Sequence, residues 1–345
     1  MSQEKYDLIT RQLQEVVGED DLKAILKERD VTIYWGTETS GRPHIGYFVP
    51  VKKIGDFLKA GCKVKILIAD LHAYLNEQKA PWELLKLRTD YYHFITRRML
   101  EAMNVPIDKL EFVQGTDFQL EKDYTLDMYR IAGMAGERDV KRAGSDVVKE
   151  AKNPKVSAML YPILQALDEQ YLDVDAQFGG VDQRKIFVFA REYLPKLGYK
   201  KRIHLMNPLV PGLTKDGKMS SSNEASKIDF LDTEKQVQKK INKAFAQEGL
   251  VEGNGLLAFL KHVICPMKEE NNQPIVFERP ERFGGDITYQ TYEEIETAYA
   301  NKELSPADLK SGVAKEINNL LAPIRKAYED DKAMQEIIEK AYPNA

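Results

Sequence analysis

Residues 31–47 read Val-Thr-Ile-Tyr-Trp-Gly-Thr-Glu-Thr-Ser-Gly-Arg-Pro-His-Ile-Gly-Tyr, and they decide how the rest of the chain is read. Residues 31–35 are β-branched and aromatic, the composition of a buried strand, and Gly36 is expected to end it. A glycine-rich turn follows, and a helix is expected to begin near His44. Pro43 suits its first turn, where a missing amide hydrogen costs nothing. Val49, Val51, Ile54, Phe57 and Leu58 give that helix an apolar side up to Gly61. Pro50 lies inside it and predicts a kink or a late start. Lys63-Val64-Lys65-Ile66-Leu67-Ile68-Ala69 is a second strand. Strand, glycine turn, helix and strand form a βαβ unit, so the two strands should run parallel. Ligands in such sheets gather at the carboxyl ends of strands, and Gly36 to Gly46 occupies that place.

Working outward, residues 3–29 read as a helical lead-in, with Ile9, Leu13, Val16 and Val17 at helical spacing and Leu22, Ile25 and Leu26 after Gly18. Downstream, a helix over 81–103 starts at Pro81, and a short strand covers 110–113. Residues 117–160 are helical, charged and broken at Gly133, Gly136 and Gly144, which predicts an insertion between two halves of the sheet. A strand over 174–178, a helix over 183–193 and a strand over 203–205 complete this part. After about 226 helical patterns dominate, at 233–246, 253–265, 291–300, 306–322 and 324–341, around a Pro/Gly-rich patch at 278–286. The expected fold class is therefore α/β: a Rossmann-like parallel-sheet domain over 1–225 with a helical insertion at about 117–160, then an all-α domain over 226–345.

With 345 residues, 43% of them hydrophobic, the chain has room for such cores. The net charge of −4 advertises no global basic field, so any RNA contact must be local. Cys62 and Cys265 lie far apart without a CxxC, which argues against a zinc site and a disulfide framework and fits a reducing compartment. The start Met-Ser-Gln-Glu-Lys-Tyr-Asp lacks a basic-then-apolar signal, and no apolar run approaches membrane-spanning length. The expectation is a cytoplasmic protein without a membrane partner, and without a further module beyond the helical part.

Four groups of residues carry chemistry. His44 sits where a helix N-terminus attracts anions and can donate to phosphate oxygens; Gly46 leaves room for a flat base against the backbone. Tyr161, Gln165 and Asp168 fall at i, i+4 and i+7, on one helix face bordered by apolar residues. That stripe suits a pocket for an ammonium group and one hydroxyl, and on spacing alone it is also an ordinary amphipathic face. Gly179-Gly180-Val181-Asp182-Gln183 closes a strand; Gly180 permits close approach, Asp182 suits ribose hydroxyls or a simple N-cap, and Gln183 points into the same cleft. The loop Lys218-Met219-Ser220-Ser221-Ser222 offers a cation and hydroxyls to a polyphosphate. A basic helix face, Lys235, Lys239, Lys240 and Lys243, reads first as solvated surface, with a polyanion contact or a nuclear address as the sharper alternative. His72, His93, His204 and His262 have no metal-ligand spacing and read as structural.

Taken together, His44-Ile45-Gly46-Tyr47 resembles the first signature of class I aminoacyl-tRNA synthetases, and residues 218–222 resemble the second. Tyr161, Gln165, Asp168 and the 179–183 stretch are similar to the pocket motifs of the tyrosyl-tRNA synthetase family. Residues 56–62, 69–75 and Tyr161-Pro162 look like its eukaryotic and archaeal branch. The resemblance implies that Tyr34 and Asp168 bind the substrate phenol, and that Tyr161, Gln165 and Gln183 hold its ammonium group. It implies that Thr39 and His44 grip ATP phosphates, Gly46 faces adenine, and Gly180 and Asp182 hold the ribose. Lys218 with Met219, Ser220, Ser221 and Ser222 would stabilise the leaving pyrophosphate. Phe283 and Asp308 would read an anticodon base of tRNA(Tyr), and Lys149, Arg184 and Lys185 would meet its acceptor end. L-tyrosine, ATP as a substrate with Mg²⁺ but no dedicated protein metal site, tRNA and a second copy of the chain are the implied partners.

Two positions depart from the signatures: Tyr47 stands where a second histidine is usual, and Ser221 where a second lysine is. The charge of Glu38, close to the expected phosphates, is unexplained by the sequence. Three rivals stand beside this reading. One is a tryptophanyl enzyme of the same build, which the Tyr34/Asp168 pair disfavours. Another is an adenylyltransferase that would not need 226–345. The last is a non-catalytic RNA-binding protein, weakened by two serviceable phosphate motifs. The insertion, with Ile131, Met134, Val140, Val147 and Val148 among charges, is the expected two-fold interface.

Overall fold

The computed structural model describes residues 2–76, 79–148, 155–215 and 227–343. A six-stranded sheet forms the centre: β1 (Glu15–Val17), β2 (Thr32–Glu38), β3 (Lys63–Ala69), β4 (Leu110–Gln114), β5 (Ala176–Gly180) and β6 (Ile203–Asn207). The spatial order is β1-β6-β5-β2-β3-β4. Strands β2 to β6 pair in parallel, and β1 alone is antiparallel, against β6. The chain progresses outward from β2 through β3 to β4. It then returns through the insertion to place β5 on the other side of β2. The crevice at the carboxyl ends of β2 and β5 is thus the switch point of the sheet.

Alternation along β2 assigns its faces. Ile33 and Trp35 enter the large core with Val51, Ile54 and Phe57 of the helix Phe48–Lys59, while Tyr34 points to the opposite face with Leu67, Leu172 and Val174. The helix Ser157–Tyr171 belongs to a second core with the insertion, where Ile163 and Leu167 meet Tyr124, Ile131 and Val140.

Several expectations shift. The lead-in is not continuous helix: Ser2–Thr10 and Glu19–Glu28 are helical, but Val16 and Val17 form β1, because the open edge of β6 offers them hydrogen bonds. Strand β2 does not stop at Gly36; residues 36 to 38 still pair with Leu67, Ile68 and Ala69. Strand β5 begins at Ala176 rather than 174 and includes Gly179 and Gly180, which pair with Met206 and Asn207. His44 caps a 3₁₀ turn, Ile45–Tyr47, before the α-helix begins at Phe48. Pro50 therefore stands in the first turn of that helix, as a late start requires.

The C-terminal part is mainly helical. Two short strands, β7 (Ile275–Phe277) and β8 (Ile287–Tyr289), pair on either side of the Pro/Gly-rich patch. The expected break at 323 is absent: one helix, Pro306–Glu329, continues through Pro323 because Leu320, Leu321 and Ile324 are packed in the core. The break falls instead at Asp330 and Asp331, before Lys332–Ala341. Apolar side chains from this part, including Val237, Leu260, Val313 and Ile338, join those under the sheet in one continuous core. At the junction Gly255 packs on the backbone of Gly212, where a Cβ would lie 2.2 Å from the Gly212 carbonyl oxygen.

Candidate active site

A cavity of about 430 Å³ opens at the switch point. Tyr34, His44, Gly46, Tyr161, Gln165, Asp168, Gly180, Asp182 and Gln183, all singled out from the sequence, line it together. Tyr34 is the third residue of β2 and Glu38 the last, so the Tyr34 backbone lies roughly 13 Å along the strand from the sheet's carboxyl edge. Thr39 is fully buried and does not line the cavity. Lys218, Met219, Ser220, Ser221, Ser222 and Lys149 lie outside the described residues.

At the deep end Asp168 is buried on the helix Ser157–Tyr171. Its Oδ1 accepts from Gln119 Nε2 and from the Tyr124 hydroxyl, each at 2.8 Å. Burial pushes its pKa up to about 7, against the pull of those two donors. Tyr34 hydroxyl donates to the Gln165 carbonyl at 3.3 Å, and burial, then the nearby Asp168, holds its phenol well above the usual range. Neither Gln119 nor Tyr124 carries a sequence signal, since both come from the helical segments after β4. His72 had one. It follows the carboxyl end of β3 as the turn 39–47 follows β2, and it lines the cavity rather than serving only as packing.

In the middle, Gln165 Nε2 donates to Gln183 Oε1 at 3.1 Å. The Tyr161 ring meets His72 edge-on at 4.7 Å. The charge of Glu38 is met within the chain: it accepts from Asn76 Nδ2 at 2.6 Å, stands 3.6 Å from Lys79 Nζ, and lies beside the Tyr161 phenol.

At the carboxyl edge His44 is buried, and its Nδ1 accepts from the Gly46 amide at 3.2 Å, so the proton is on Nε2. Burial, aided by the charge of Lys227, lowers its pKa to about 4, so the ring is a neutral donor at physiological pH. The Ile45 amide donates to the Ile228 carbonyl at 3.0 Å, and Arg42 Nη2 donates to Asp229 at 2.9 Å. Before the Lys218 loop, Val210, Pro211 and Leu213 line the cavity. Both described flanks of that loop therefore reach the site. At Gly180 a Cβ would lie 2.4 Å from Asp182 Oδ1, so this residue must lack a side chain for Asp182 to keep its place.

Outside the cavity, Phe283 is 62% exposed on the turn Glu281–Phe283. Arg279 Nε donates to the Gly285 carbonyl just after that turn, and Arg279 Nη1 stands 3.9 Å from Asp308, so one guanidinium links Asp308 to the segment that follows Phe283. Arg184 pairs with Glu15 and Lys185 with Asp146, both at the surface.

An open, mostly parallel sheet with a cavity at its switch point, lined by a histidine, a glycine and an acidic residue, defines a Rossmann-like α/β protein. The chain belongs to the family of class I tRNA synthetases (W and Y), whose model matches residues 26–322. It is 58% identical over 342 residues to the cytoplasmic tyrosine–tRNA ligase of Gallus gallus, covering 99% of this chain and 64% of that one. To the cytoplasmic tyrosine–tRNA ligase of Saccharomyces cerevisiae it is 54% identical over 348 residues, covering 99% and 88%. The chain thus spans a little under two thirds of the vertebrate relatives it matches. Among solved structures, tyrosyl-tRNA synthetase from Archaeoglobus fulgidus, complexed with L-tyrosine, is similar with a TM-score of 0.86 and 38% identity, over 94% of this chain and 99% of that one.

Proposed function

We propose that the chain is a tyrosine–tRNA ligase: it joins L-tyrosine to ATP as tyrosyl-adenylate and passes the tyrosyl group to the 3′ end of tRNA(Tyr). The observation that carries this reading is one cavity lined by Tyr34 and Asp168 deep in the sheet and by His44, Gly180 and Asp182 at its edge. Tyrosine enters phenol first, towards Asp168 and Tyr34. Tyr161, Gln165 and Gln183 surround its ammonium group. The substrate carboxylate attacks the α-phosphorus of ATP, a P–O bond forms, and the bond to pyrophosphate breaks. His44 Nε2–H donates to phosphate oxygens, Gly46 faces adenine, and Gly180 with Asp182 takes the ribose. Thr39 supports the phosphate turn from within, and Lys218 to Ser222 neutralise the departing charge. Mg²⁺ accompanying ATP would supply further charge neutralisation. No protein nucleophile is needed, since positioning and charge stabilisation lower the barrier.

The division into 1–225 and 226–345, with Phe283 and Asp308 reading the anticodon and Lys149, Arg184 and Lys185 at the acceptor end, belongs to this proposal. So does a homodimer in the cytoplasm. The interface residues need revision, however. Ile131 and Val140 are buried within the chain, whereas Leu126, Tyr129 and Met134 of the helix Lys122–Met134 are 53%, 64% and 44% exposed. An apolar set of this kind on a charged helix favours a second copy. No helix among the described residues is long and apolar enough to cross a membrane. Amino-acid-dependent ATP–pyrophosphate exchange across the twenty amino acids is the test. Exchange with tyrosine is expected; exchange with tryptophan alone, or none, would overturn the reading.

A further inference from the structure

Two buried polar atoms in the cavity have no hydrogen-bond partner among the described residues and stand close together. His72 Nε2 and Asp168 Oδ2 are 3.7 Å apart, too far for a hydrogen bond, and neither has another acceptor or donor among the described residues. Their side chains are only 3% and 1% exposed. Leaving both unpaired is costly, so the pair points to a ligand group that completes them.

The surroundings fix what each atom offers. Asp168 Oδ1 is already occupied by Gln119 Nε2 and Tyr124 hydroxyl, which leaves Oδ2 bare. The same Gln119 nitrogen lies 3.4 Å from His72 Nδ1. An amide nitrogen presents only hydrogens, so Nδ1 is the lone-pair side and Nε2 carries the proton. The cavity therefore presents one donor and one acceptor across a gap that a single atom can bridge. A hydroxyl oxygen is such an atom, donating once and accepting at the same time. Seated roughly 2.8 Å from each, it closes a triangle on the 3.7 Å base.

We propose that His72 is a specificity-determining residue: its Nε2–H donates to the 4-hydroxyl oxygen of the substrate while that hydroxyl donates to Asp168 Oδ2. This rests on the tyrosine-activating reading above. Phenylalanine would leave both atoms unpaired. An indole N–H would satisfy Asp168 but leave the His72 donor unpaired.

The test compares tyrosine and phenylalanine in pyrophosphate exchange for the full chain and three variants. His72→Phe fills the ring volume and keeps the edge contact with Tyr161 but removes the donor. Its kcat/KM for tyrosine should fall roughly 10–100-fold, with that for phenylalanine unchanged or raised. His72→Gln restores an N–H at the reach of Nε2 and should stay within about threefold of the parent, whereas His72→Asn, one methylene shorter, should behave as His72→Phe. If His72→Phe does not fold, the Gln/Asn pair decides the matter alone. Equal losses for both amino acids, or no difference between Gln and Asn, would sink the proposal. Absence of tyrosine-dependent exchange in the unaltered chain overturns the ligase reading itself.

Discussion

Asp168 carries a buried carboxyl whose pKa is about 7 in the folded chain against 3.8 for the ordinary group. Below 3.8 both states hold the proton and the group costs nothing. As pH rises from there to about 7, the unfolded chain ionises while the folded one resists, so stability is lost; above about 7 the loss is complete. It amounts to about 4 kcal/mol, taking about 1.4 kcal/mol for each tenfold change. Asp168→Asn removes this titration and can still accept from Gln119 and Tyr124. The variant should therefore melt higher than the parent at pH 8 and no higher at pH 4, checked by thermal unfolding at both. Its tyrosine-dependent exchange should meanwhile fall roughly 10–100-fold, because a hydrogen bond to a charged acceptor is lost. A higher melting point with unchanged exchange would remove Asp168 from phenol recognition. The place of His72 after β3 was readable in the sequence, but its protonation was not: burial lowers its pKa to about 3, and its neighbour Gln119 assigns its proton.

At the level of elements, the decisive contacts lie between segments distant in sequence. The turn 39–47 is held by the segment after the Lys218 loop through Ile45 to Ile228 and Arg42 to Asp229. The segment before that loop is held by the helix Gly255–Phe259, where Gly255 packs against Gly212. Gly255→Val should push these backbones apart and destabilise the chain by about 1–3 kcal/mol, the usual cost of overpacking. Because the same helix borders the cavity, KM for ATP should rise more than KM for tyrosine. A rise confined to tyrosine would show that this helix serves the other end of the cavity. The βαβ unit was legible from residues 31–69 because periodicity and turn chemistry agree there. Strand β1 was not legible, since three residues at an open edge take their conformation from β6 rather than from their own pattern.

At the scale of the molecule, the sheet and the C-terminal helices share one apolar core, so the helix Leu85–Ala102 is packed by both Pro306–Glu329 and Lys332–Ala341. Arg11, Lys52 and Lys59 converge on Glu270 across the same junction. The insertion, by contrast, packs in a second core shared with the helix Ser157–Tyr171 and leaves Leu126 and Tyr129 exposed at i and i+3 on one helix face. Placing aspartate at both positions should convert a dimer into monomers in sedimentation at micromolar protein, with the melting point nearly unchanged. A dimer that persists in the double variant would place the interface elsewhere.

By itself the sequence determined the βαβ unit, the glycine turn at a strand end, the helix face bearing Tyr161, Gln165 and Asp168, and the family resemblance. These are local patterns, and each is written in residues a few positions apart. Only the tertiary structure decided that Gln119 and Tyr124 hold Asp168, that His72 lines the cavity, and that Glu38 is met by Asn76 and Lys79. It also decided that Ile131 and Val140 are buried while Leu126 and Tyr129 are exposed. Those facts depend on which segments the sheet order and the continuous core bring within hydrogen-bonding distance. Burial then sets the protonation of the groups it encloses, and no sequence period encodes that.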